Sequence, residues 1–314
     1  MTFGVESAEA ESQRILDVFV AGGGTLIDSA DVYGNGESER ILGRWLANSG
    51  GVRDRLIIAT KGRFALAGQP GGSLRKQYLH HALEASLRRL GLDAVDVYFA
   101  HGPDESTPQE ELVEFFAEAV AAGKTRFGGV SNLPGWQVAK LGVLARQAGV
   151  PLVWHQPQYN LLAREVEWEV MPAARDARLD AVVWGPLAGG WLTAKYARGR
   201  RPPGTSRLGE NPDRGVEAWE KRGTDRTWTI TEQLRVLATE RDLTPAQVAL
   251  AWVSDRAGVT SALVGARHAA QLDETLAAGD IHLDAEATAV LDRISEPATP
   301  DYPYRLVRQL ASLP

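Results

Sequence analysis

The sequence predicts an α/β fold of the (β/α)8 or TIM-barrel class, and three observations support this prediction. Short, nearly continuous apolar runs alternate with amphipathic stretches, which is typical of parallel strands connected by helices. A polar side chain or a tryptophan stands at or just after the end of each apolar run. No G-x-G-x-x-G turn follows the first run, as it does in open doubly wound sheets. A barrel collects its functional groups along one rim, so the pattern favours the closed barrel.

Seven apolar runs predict the strands. In chain order they are TLID (25–28), RLIIATK (55–61), VDVYFAH (95–101), TRFGGVSN (125–132), PLVWHQ (151–156), DAVVWG (180–185) and SALVGAR (261–267). The residues at their ends are Asp28, Lys61, His101, Ser131 with Asn132, Gln156, Trp184 and Arg267. Because the C-terminal ends of parallel barrel strands meet at one rim, we expect these side chains to line a common site.

The stretches between the runs predict the helices that connect the strands. One stretch carries leucines three or four residues apart and ends at Gly91, a residue type common at helix ends. QEELVEFFAEAVAAGK ends in the same way at Gly123. TPAQVALAWVSD begins with Thr244 as the N-cap and Pro245 at the first helical position. Repeated strand–helix units of this kind predict right-handed crossovers within one parallel sheet.

The connection after the sixth run is much longer than the others. It contains ARGRRPPGTSRLGENPDRG, which is rich in glycine, proline and arginine. We expect a long rim loop over about residues 188–226, suited to a lid or a clasp over a cofactor. The whole chain, residues 1–314, is expected to form a single barrel domain with this loop as its main excursion.

Composition excludes several functional classes. The chain has 314 residues, a formal net charge of −6 and no cysteine, which excludes disulfides and thiolate metal sites. No His, Asp or Glu cluster has metal-ligand spacing, so we expect no metal. The sequence lacks the basic runs typical of nucleic-acid binding and the long apolar segment of a membrane span. It also lacks a secretory signal, so we expect a cytoplasmic protein without nucleic-acid or membrane partners. The oligomeric state stays open.

Six segments, in order, resemble the aldo-keto reductase superfamily. They are IDSADVYGNGESERILG, IIATKGRF, DVYFAHGPDESTPQEELVEFFAEAVAAGKTRFGGVSN, HQPQYNLL, VVWGPLAGGWLTAKY and GARHAAQLDETL. The resemblance extends from about Thr2 to the mid-290s, and HGPDESTP is most similar to the aflatoxin-aldehyde-reductase-like and related bacterial branches. It implies reduction of a small-molecule aldehyde or ketone to an alcohol, with a hydride from NADPH.

The resemblance implies four catalytic residues. Tyr33 resembles the general acid, whose ordinary pKa near 10 requires a nearby cation to stabilise the phenolate. Lys61 resembles that cation, Asp28 its carboxylate partner, and His101 the residue that orients the substrate carbonyl. Each residue also has a simpler interpretation when it is considered alone. Asp28 is suited to capping a turn, Lys61 to a solvated charge at a strand end, and His101 to a structural role. Together on one rim they favour catalysis, which explains a carboxylate and a phenol at the mouth of a strand.

The resemblance also implies the residues that bind NADPH. Ser131, Asn132 and Gln156 match the positions that bind the nicotinamide carboxamide, and Trp184 matches the aromatic residue that stacks on the ring. An apolar core role is the alternative for Trp184. The loop with Gly185 and Leu187 is expected to approach the pyrophosphate, and Lys195 a phosphate. The adenosine end is expected to contact Arg267, Gln271 and Glu274.

Arg267 is the residue that leads us to expect NADPH instead of NADH. Its position resembles that of the arginine that pairs with the 2′-phosphate, and a guanidinium is well suited to that dianion. The alternative is a free arginine on the surface. Gly185 departs from the family, since it stands where a serine is usual and lacks the hydroxyl contact.

The resemblance leaves two questions open. Family members begin with a hairpin and a first strand that ends near GTMTFG, whereas this sequence starts at MTFG. We therefore expect a truncated hairpin and first strand, with seven full strands and a stub near Thr2 and Phe3. The second question is functional: an NADP-binding regulatory or partner subunit, similar to channel β-subunits, is the alternative to an enzyme.

Overall fold

A computed structural model describes residues 1–311, so residues 312–314 of the predicted domain lie outside the described residues. Seven parallel strands form one sheet in chain order. They are β1 Leu26–Asp28, β2 Ile57–Gly62, β3 Val95–Ala100, β4 Thr125–Ser131, β5 Leu152–Gln156, β6 Asp180–Trp184 and β7 Val259–Leu263. The strands and the alternating helices form a nearly closed barrel, which confirms the predicted fold class. Each predicted apolar run contains or overlaps one strand, but β7 ends at Leu263 and leaves Arg267 in the following loop.

The helices surround the sheet, and the longer ones alternate with its strands. They are α1 Glu9–Ala21, α2 Glu37–Asn48, α3 Lys76–Leu90, α4 Gln109–Ala121, α5 Gly135–Ala148, α6 Val170–Ala177, α7 Arg207–Glu210, α8 Trp219–Arg222, α9 Asp225–Glu240, α10 Pro245–Ser254, α11 Ala269–Leu276, α12 Ala285–Ile294 and α13 Leu306–Ala311. Their ends follow the sequence signals: Thr244 and Gln247 form a capping box at α10, and Gly91, with φ of 66°, caps the C-terminal end of α3. Within residues 1–311, no helix is both long and apolar enough to cross a bilayer.

The strands divide their side chains between two faces. Ala59, Val97 and Phe99 form the apolar cluster on the inner face, and Phe99 stacks against Trp154 with ring centroids 6.4 Å apart. The alternate residues of the strands pack outward against the helices in two larger clusters. Side chains alternate along a strand, so Lys61 shares the inner face with Ala59, and His101 shares it with Phe99. This alternation places the polar residues at the strand ends inside the rim.

Two glycines on β4 allow close packing on both faces of the sheet. A Cβ atom at Gly128 would lie 2.8 Å from the ring of Phe116 on α4, and one at Gly129 would lie 2.5 Å from the ring of Phe99. Neither position has room for a side chain without movement of an aromatic ring. The GG pair in TRFGGVSN therefore lets β4 fit between a helix outside and a filled barrel inside.

The N-terminal segment lies beside the residues that follow β7. The Thr2 hydroxyl donates a hydrogen bond to the carbonyl of Ala266 at 3.1 Å, and the Ser7 hydroxyl donates one to the carbonyl of Arg267 at 3.0 Å. Phe3 forms only an isolated bridge with Ser7. In the part of the chain that the structure describes, the sheet thus contains seven strands, with β1 and β7 at its two ends.

The segment predicted as a rim loop contains several short helical pieces. Besides α7 and α8, turns of 3-10 helix span Ala188–Thr193 and Gly215–Glu217. An aromatic cluster anchors the segment: Trp191 stacks on Trp219 with centroids 4.8 Å apart and meets Trp228 of α9 edge-on at 5.5 Å. Burial of these rings fixes a segment whose composition resembles that of a flexible loop.

Candidate active site

Lys61 lies at the centre of the rim and is completely buried. Its amine forms an ion pair with Asp28 and donates a hydrogen bond to the carbonyl of Ser29 at 2.7 Å. The amine also lies 3.4 Å from the hydroxyl of Tyr33. The structure therefore brings three of the four predicted catalytic residues into direct contact around one ammonium group.

His101 is the fourth residue of this group. Its ring meets the Tyr33 ring edge-on, with centroids 5.7 Å apart and an interplanar angle of 78°. Its Nδ1 is buried and has no hydrogen-bond partner among the described residues. Asn132 donates a hydrogen bond to the His101 carbonyl at 3.0 Å, which ties the end of β3 to the end of β4. The Nδ1 atom is thus left unpaired inside the described part of the protein.

A tight turn after Tyr33 sets the position of its ring. Gly34, Asn35 and Gly36 have φ angles of 57°, 55° and 88°, so three successive residues adopt left-handed backbone. Glycine and asparagine tolerate this region better than other residues, which explains the sequence GNG at this point. The turn leads directly into α2 and holds Tyr33 over Lys61.

Burial and charge shift the pKa values of these groups in different directions. Burial alone would lower the pKa of Lys61, but Asp28 and Tyr33 together raise it, so the amine stays protonated. Burial raises the pKa of Tyr33, and Lys61 opposes that shift without cancelling it. Burial, together with the charges of Lys61 and Arg63, lowers the pKa of His101 to about 3. Near neutral pH, the site therefore holds a charged lysine, a protonated phenol and a neutral imidazole.

The residues predicted to bind the nicotinamide lie next to this centre and contact one another. Ser131 donates a hydrogen bond to the carbonyl of Gln156 at 2.8 Å, and the Gln156 amide donates one to Asp28 at 2.9 Å. The indole N–H of Trp184 donates to the Asn132 side chain at 2.9 Å. Asn132 adopts left-handed backbone with φ of 58°. Trp184 is only half-buried and lies outside the apolar clusters, so the core alternative is wrong.

The loop after β6 carries the residues predicted to approach the pyrophosphate. Gly185 has φ of 66°, which explains why glycine suits the place where the family usually has serine. The Gly185 carbonyl accepts a hydrogen bond from Asn160 at 2.8 Å. Leu187 caps the helical turn that follows, and its carbonyl accepts a hydrogen bond from the Gly190 N–H at 2.9 Å. A Cβ atom at Gly190 would lie 2.9 Å from the Lys195 amine.

Beyond this loop, several cations lie within electrostatic range of one another. Lys195 is exposed, yet partial desolvation lowers the pKa of its amine, and Arg267 and Arg207 lower it further. Burial also lowers the pKa of Arg207, followed by the charge of Arg214. Neither Lys195 nor Arg207 forms a hydrogen bond or an ion pair with another residue among 1–311. Unpaired cations of one sign, partly withdrawn from water, indicate an anion site.

Sequence reasoning missed Arg207. It lies at the start of α7, inside the arginine-rich segment 197–215, where nothing in the sequence distinguishes it from its arginine neighbours. Arg214 pairs with Glu6, whereas Arg198 pairs with Asp225. Among the arginines of this segment without an ion pair in the described chain, Arg207 is half-buried whereas Arg200 and Arg201 are exposed, and only the folded chain shows this difference.

The residues predicted at the adenosine end are partly engaged with the protein. Arg267 forms an ion pair with both carboxylate oxygens of Glu210, at 2.6 and 2.8 Å, so it is not a free surface arginine. Gln271 accepts a hydrogen bond from the backbone N–H of Arg267 at 3.0 Å. Glu274 is exposed on α11, one turn beyond Gln271. A 2′-phosphate at Arg267 would therefore have to compete with Glu210.

The described residues contain no group of three or more His, Cys, Asp or Glu side chains arranged to hold a metal ion. His155 is not part of the site: it lies on the outer face of β5, fully buried, and neither ring nitrogen has a partner in the described chain. Burial lowers its pKa to about 4, so its ring is neutral.

Comparison with known proteins agrees with this geometry. The family model "Aldo/keto reductase family" matches residues 1–296. The chain is 34% identical to the "Uncharacterized oxidoreductase YrpG" of Bacillus subtilis, over 94% of this chain and 90% of that protein. It is 34% identical to the "L-glyceraldehyde 3-phosphate reductase" of Escherichia coli K12, over 87% and 79% of the two chains.

A third relative has a different printed role. The "Probable voltage-gated potassium channel subunit beta" of Arabidopsis thaliana is 31% identical, over 94% of this chain and 90% of that protein. The family model covers nearly the whole described chain, and the barrel with its Asp28–Lys61–Tyr33 contact is the arrangement that the motifs predict. The chain therefore belongs to the aldo/keto reductase family of oxidoreductases.

Proposed function

We propose that the protein catalyses the NADPH-dependent reduction of an aldehyde or ketone to an alcohol. The observation that carries this proposal is the buried ammonium of Lys61, in contact with both Asp28 and Tyr33 at the barrel rim. Burying a cation and a carboxylate costs several kcal/mol unless they are paired, and the pair adds nothing to a core. A site that develops negative charge on Tyr33 gives this arrangement a purpose.

The residues present fit a nicotinamide dinucleotide. The unpaired cations Lys195 and Arg207 are suited to its phosphates, and the half-buried indole of Trp184 is suited to its ring. A bound NADPH supplies the hydride that reduces the carbonyl carbon. The residues that would hold it are Ser131, Asn132, Gln156 and Trp184 at the nicotinamide, Gly185, Leu187, Lys195 and Arg207 at the pyrophosphate, and Arg267, Gln271 and Glu274 at the adenosine.

Tyr33 supplies the proton. Its raised pKa keeps the phenol protonated until the carbonyl oxygen gains negative charge, and the O–H proton then passes to that oxygen. Lys61 stabilises the phenolate that remains, at the 3.4 Å separation already present. The neutral ring of His101, which meets the Tyr33 ring edge-on, orients the carbonyl oxygen.

Oxidation of NADPH, followed with a panel of aldehydes, diketones and keto-sugars, tests the proposal. Turnover is expected with at least one class of carbonyl, and faster with NADPH than with NADH. The absence of turnover with every class, in a protein that binds NADPH, would instead support the alternative of an NADP-binding regulatory or partner subunit. The likeness to the Arabidopsis channel subunit is the observation that favours this second candidate.

A further inference from the structure

Arg63 lies just beyond the end of β2, two residues after Lys61, and the mechanism proposed above does not use it. Its Nε donates a hydrogen bond to the carbonyl of Pro103 at 2.9 Å. Its guanidinium lies over the ring of Phe64, with Cζ 4.7 Å from the ring centroid. One edge and one face of the planar group are thereby fixed. This side chain has already lost much of the rotational freedom that a surface arginine keeps.

The backbone of Arg63 is also held in place. A Cβ atom at Gly72 would lie 2.1 Å from the Arg63 carbonyl oxygen, so the chain near Gly72 packs directly against Arg63. Tyr78 donates a hydrogen bond to the carbonyl of Phe64 at 2.9 Å. Contacts on both sides of the Arg63–Phe64 peptide therefore make this pair a fixed part of the rim.

The two terminal nitrogens of Arg63 remain available. Neither forms a hydrogen bond or an ion pair with a residue in the described part of the chain, 1–311. The nearby carboxylate of Asp104 is occupied by Ser73, Leu74, Ser106 and Thr107. A guanidinium that is fixed through Nε and open at both terminal nitrogens is arranged to receive the two oxygens of a carboxylate or phosphate.

Arg63 is connected to the reacting groups by a row of aromatic rings. Phe64 meets His101 edge-on, with ring centroids 5.1 Å apart, and His101 meets Tyr33 at 5.7 Å. Phe64 is 38% exposed, which is a large exposed fraction for a phenyl ring beside a catalytic rim. The positive charge of Arg63 contributes to the lowered pKa of His101, so it acts across this short distance.

We propose that Arg63 binds a carboxylate or phosphate group carried by the carbonyl substrate. Phe64 then forms an apolar wall between that anion and the carbonyl held by His101 and Tyr33. This inference rests on the proposed reductase function and narrows its substrate class to anionic aldehydes and ketones. The guanidinium binds and orients the substrate, and no bond changes at Arg63.

Matched substrates test this proposal. Steady-state reduction is measured for phosphorylated and unphosphorylated glyceraldehyde, and for para-carboxy- and para-methylbenzaldehyde, with wild type and the Arg63→Gln variant. For the anionic member of each pair, kcat/KM is expected to fall roughly 10- to 100-fold, mainly through KM, because charge-assisted hydrogen bonds are lost. The effect on the neutral member is expected to be at least tenfold smaller.

Three controls make the outcome specific. Arg75→Gln removes an exposed positive charge from the same connection and is expected to change neither member of a pair. Arg63→Lys keeps the positive charge but loses the paired N–H donors of the guanidinium, so a KM for the anionic substrate between those of wild type and Arg63→Gln is expected. Raised ionic strength is expected to increase the KM of the anionic substrate in wild type and much less in Arg63→Gln.

Two results would overturn the proposal. An equal loss for charged and neutral members would show that Arg63 acts only by holding Pro103 and the His101 segment. An unchanged KM of Arg63→Gln for the anionic members would show that Arg63 does not bind their charged group. A wild-type protein that reduces neither member of any pair fails the proposed function itself, and the assignment of Arg63 falls with it.

Discussion

Lys61 determines the electrostatics of the rim at the scale of single residues. Its amine has no exposure and lies among Asp28, Ser29 and Tyr33. A buried ammonium without Asp28 would lose its proton or destabilise the barrel, and a phenol without Lys61 would have no counter-charge on ionising. The three residues therefore operate as one unit, and substitution of any one of them changes the other two.

Tyr33→Phe tests the proton donor. Loss of a general acid is expected to lower kcat by about 10²–10⁴, whereas the affinity for NADPH stays close to wild type because the phenol contacts the carbonyl. Stopped-flow reduction rates and fluorescence titration of NADPH measure the two quantities. Tyr302, which is 80% exposed, provides the control: Tyr302→Phe is expected to behave as wild type. Near-wild-type turnover in Tyr33→Phe would contradict the assignment.

Asp31→Asn tests a buried carboxyl behind the site. Asp31 is 2% exposed, one of its oxygens has no described partner, and burial, with the charge of Glu39, raises its pKa to about 7. Between pH 4 and 7 the folded state holds a proton that the unfolded state releases. This contribution to stability is therefore present at low pH and is lost as the pH rises through about 7.

The Asn variant lacks this titration. Its melting temperature is expected to exceed that of wild type at pH 8 by several degrees, from on the order of 4 kcal/mol, and to match wild type near pH 4, with the difference growing between these pH values. Thermal unfolding across this range measures the difference, in which the titrations of His101 and His155 cancel. A difference that stays constant with pH would exclude Asp31 as its cause.

At the scale of elements, the contact between α7 and the loop after β7 controls the predicted adenosine site. Glu210 at the end of α7 occupies the guanidinium of Arg267, and the Thr205 carbonyl accepts a further hydrogen bond at 3.1 Å. This pair fastens α7 to the loop after β7. The 2′-phosphate of NADPH would have to displace the Glu210 carboxylate from Arg267, whereas NADH has no 2′-phosphate to compete with Glu210.

Two variants at this contact are expected to act in opposite directions. Arg267→Ala should weaken NADPH by about 1.5–3 kcal/mol and NADH little, since a charged hydrogen bond is lost. Glu210→Gln should strengthen NADPH relative to NADH, because the competing carboxylate is removed. Fluorescence titration of both cofactors measures these differences. Equal changes for the two cofactors in both variants would show that Arg267 does not bind the 2′-phosphate.

At the scale of the whole molecule, a ligand that bridges distant parts of the rim stabilises the entire barrel. The proposed cofactor site draws on β4, β5 and β6, on the segment that contains α7, and on the start of α11. These elements are far apart in sequence and meet only in the folded state. Binding to the folded state alone adds about 2.7 kcal/mol of stability at a ligand concentration of 100 times Kd.

Arg207→Ala tests the contribution of Arg207 to cofactor binding through two melting temperatures, one without ligand and one with NADPH. Without ligand, its melting temperature is expected to equal or exceed that of wild type, because an unpaired, desolvated cation is removed. The increase caused by saturating NADPH is expected to be smaller than in wild type. Differential scanning fluorimetry measures both. A lower melting temperature without ligand and an unchanged NADPH shift would show that Arg207 is structural.

The sequence by itself determined the strand-level pattern. Strands buried on both faces require continuous apolar runs, and seven such runs matched the seven strands. Because side chains alternate along each strand, the placement of Asp28, Lys61 and His101 on one rim followed from spacing alone. The family motifs could be read for the same reason, since each lies within a strand end or the turn that follows it.

Only the tertiary structure decided how the charges pair. Glu210 and Arg267 are 57 residues apart, and Arg207 forms no ion pair among the described residues although the charges of Glu6 and Glu217 act on it. The fixed guanidinium of Arg63 depends on Pro103, 40 residues away. The pKa of His101 depends on burial and on two cations from another strand end. Such contacts depend on how the closing barrel brings its loops together, which local propensity and periodicity do not encode.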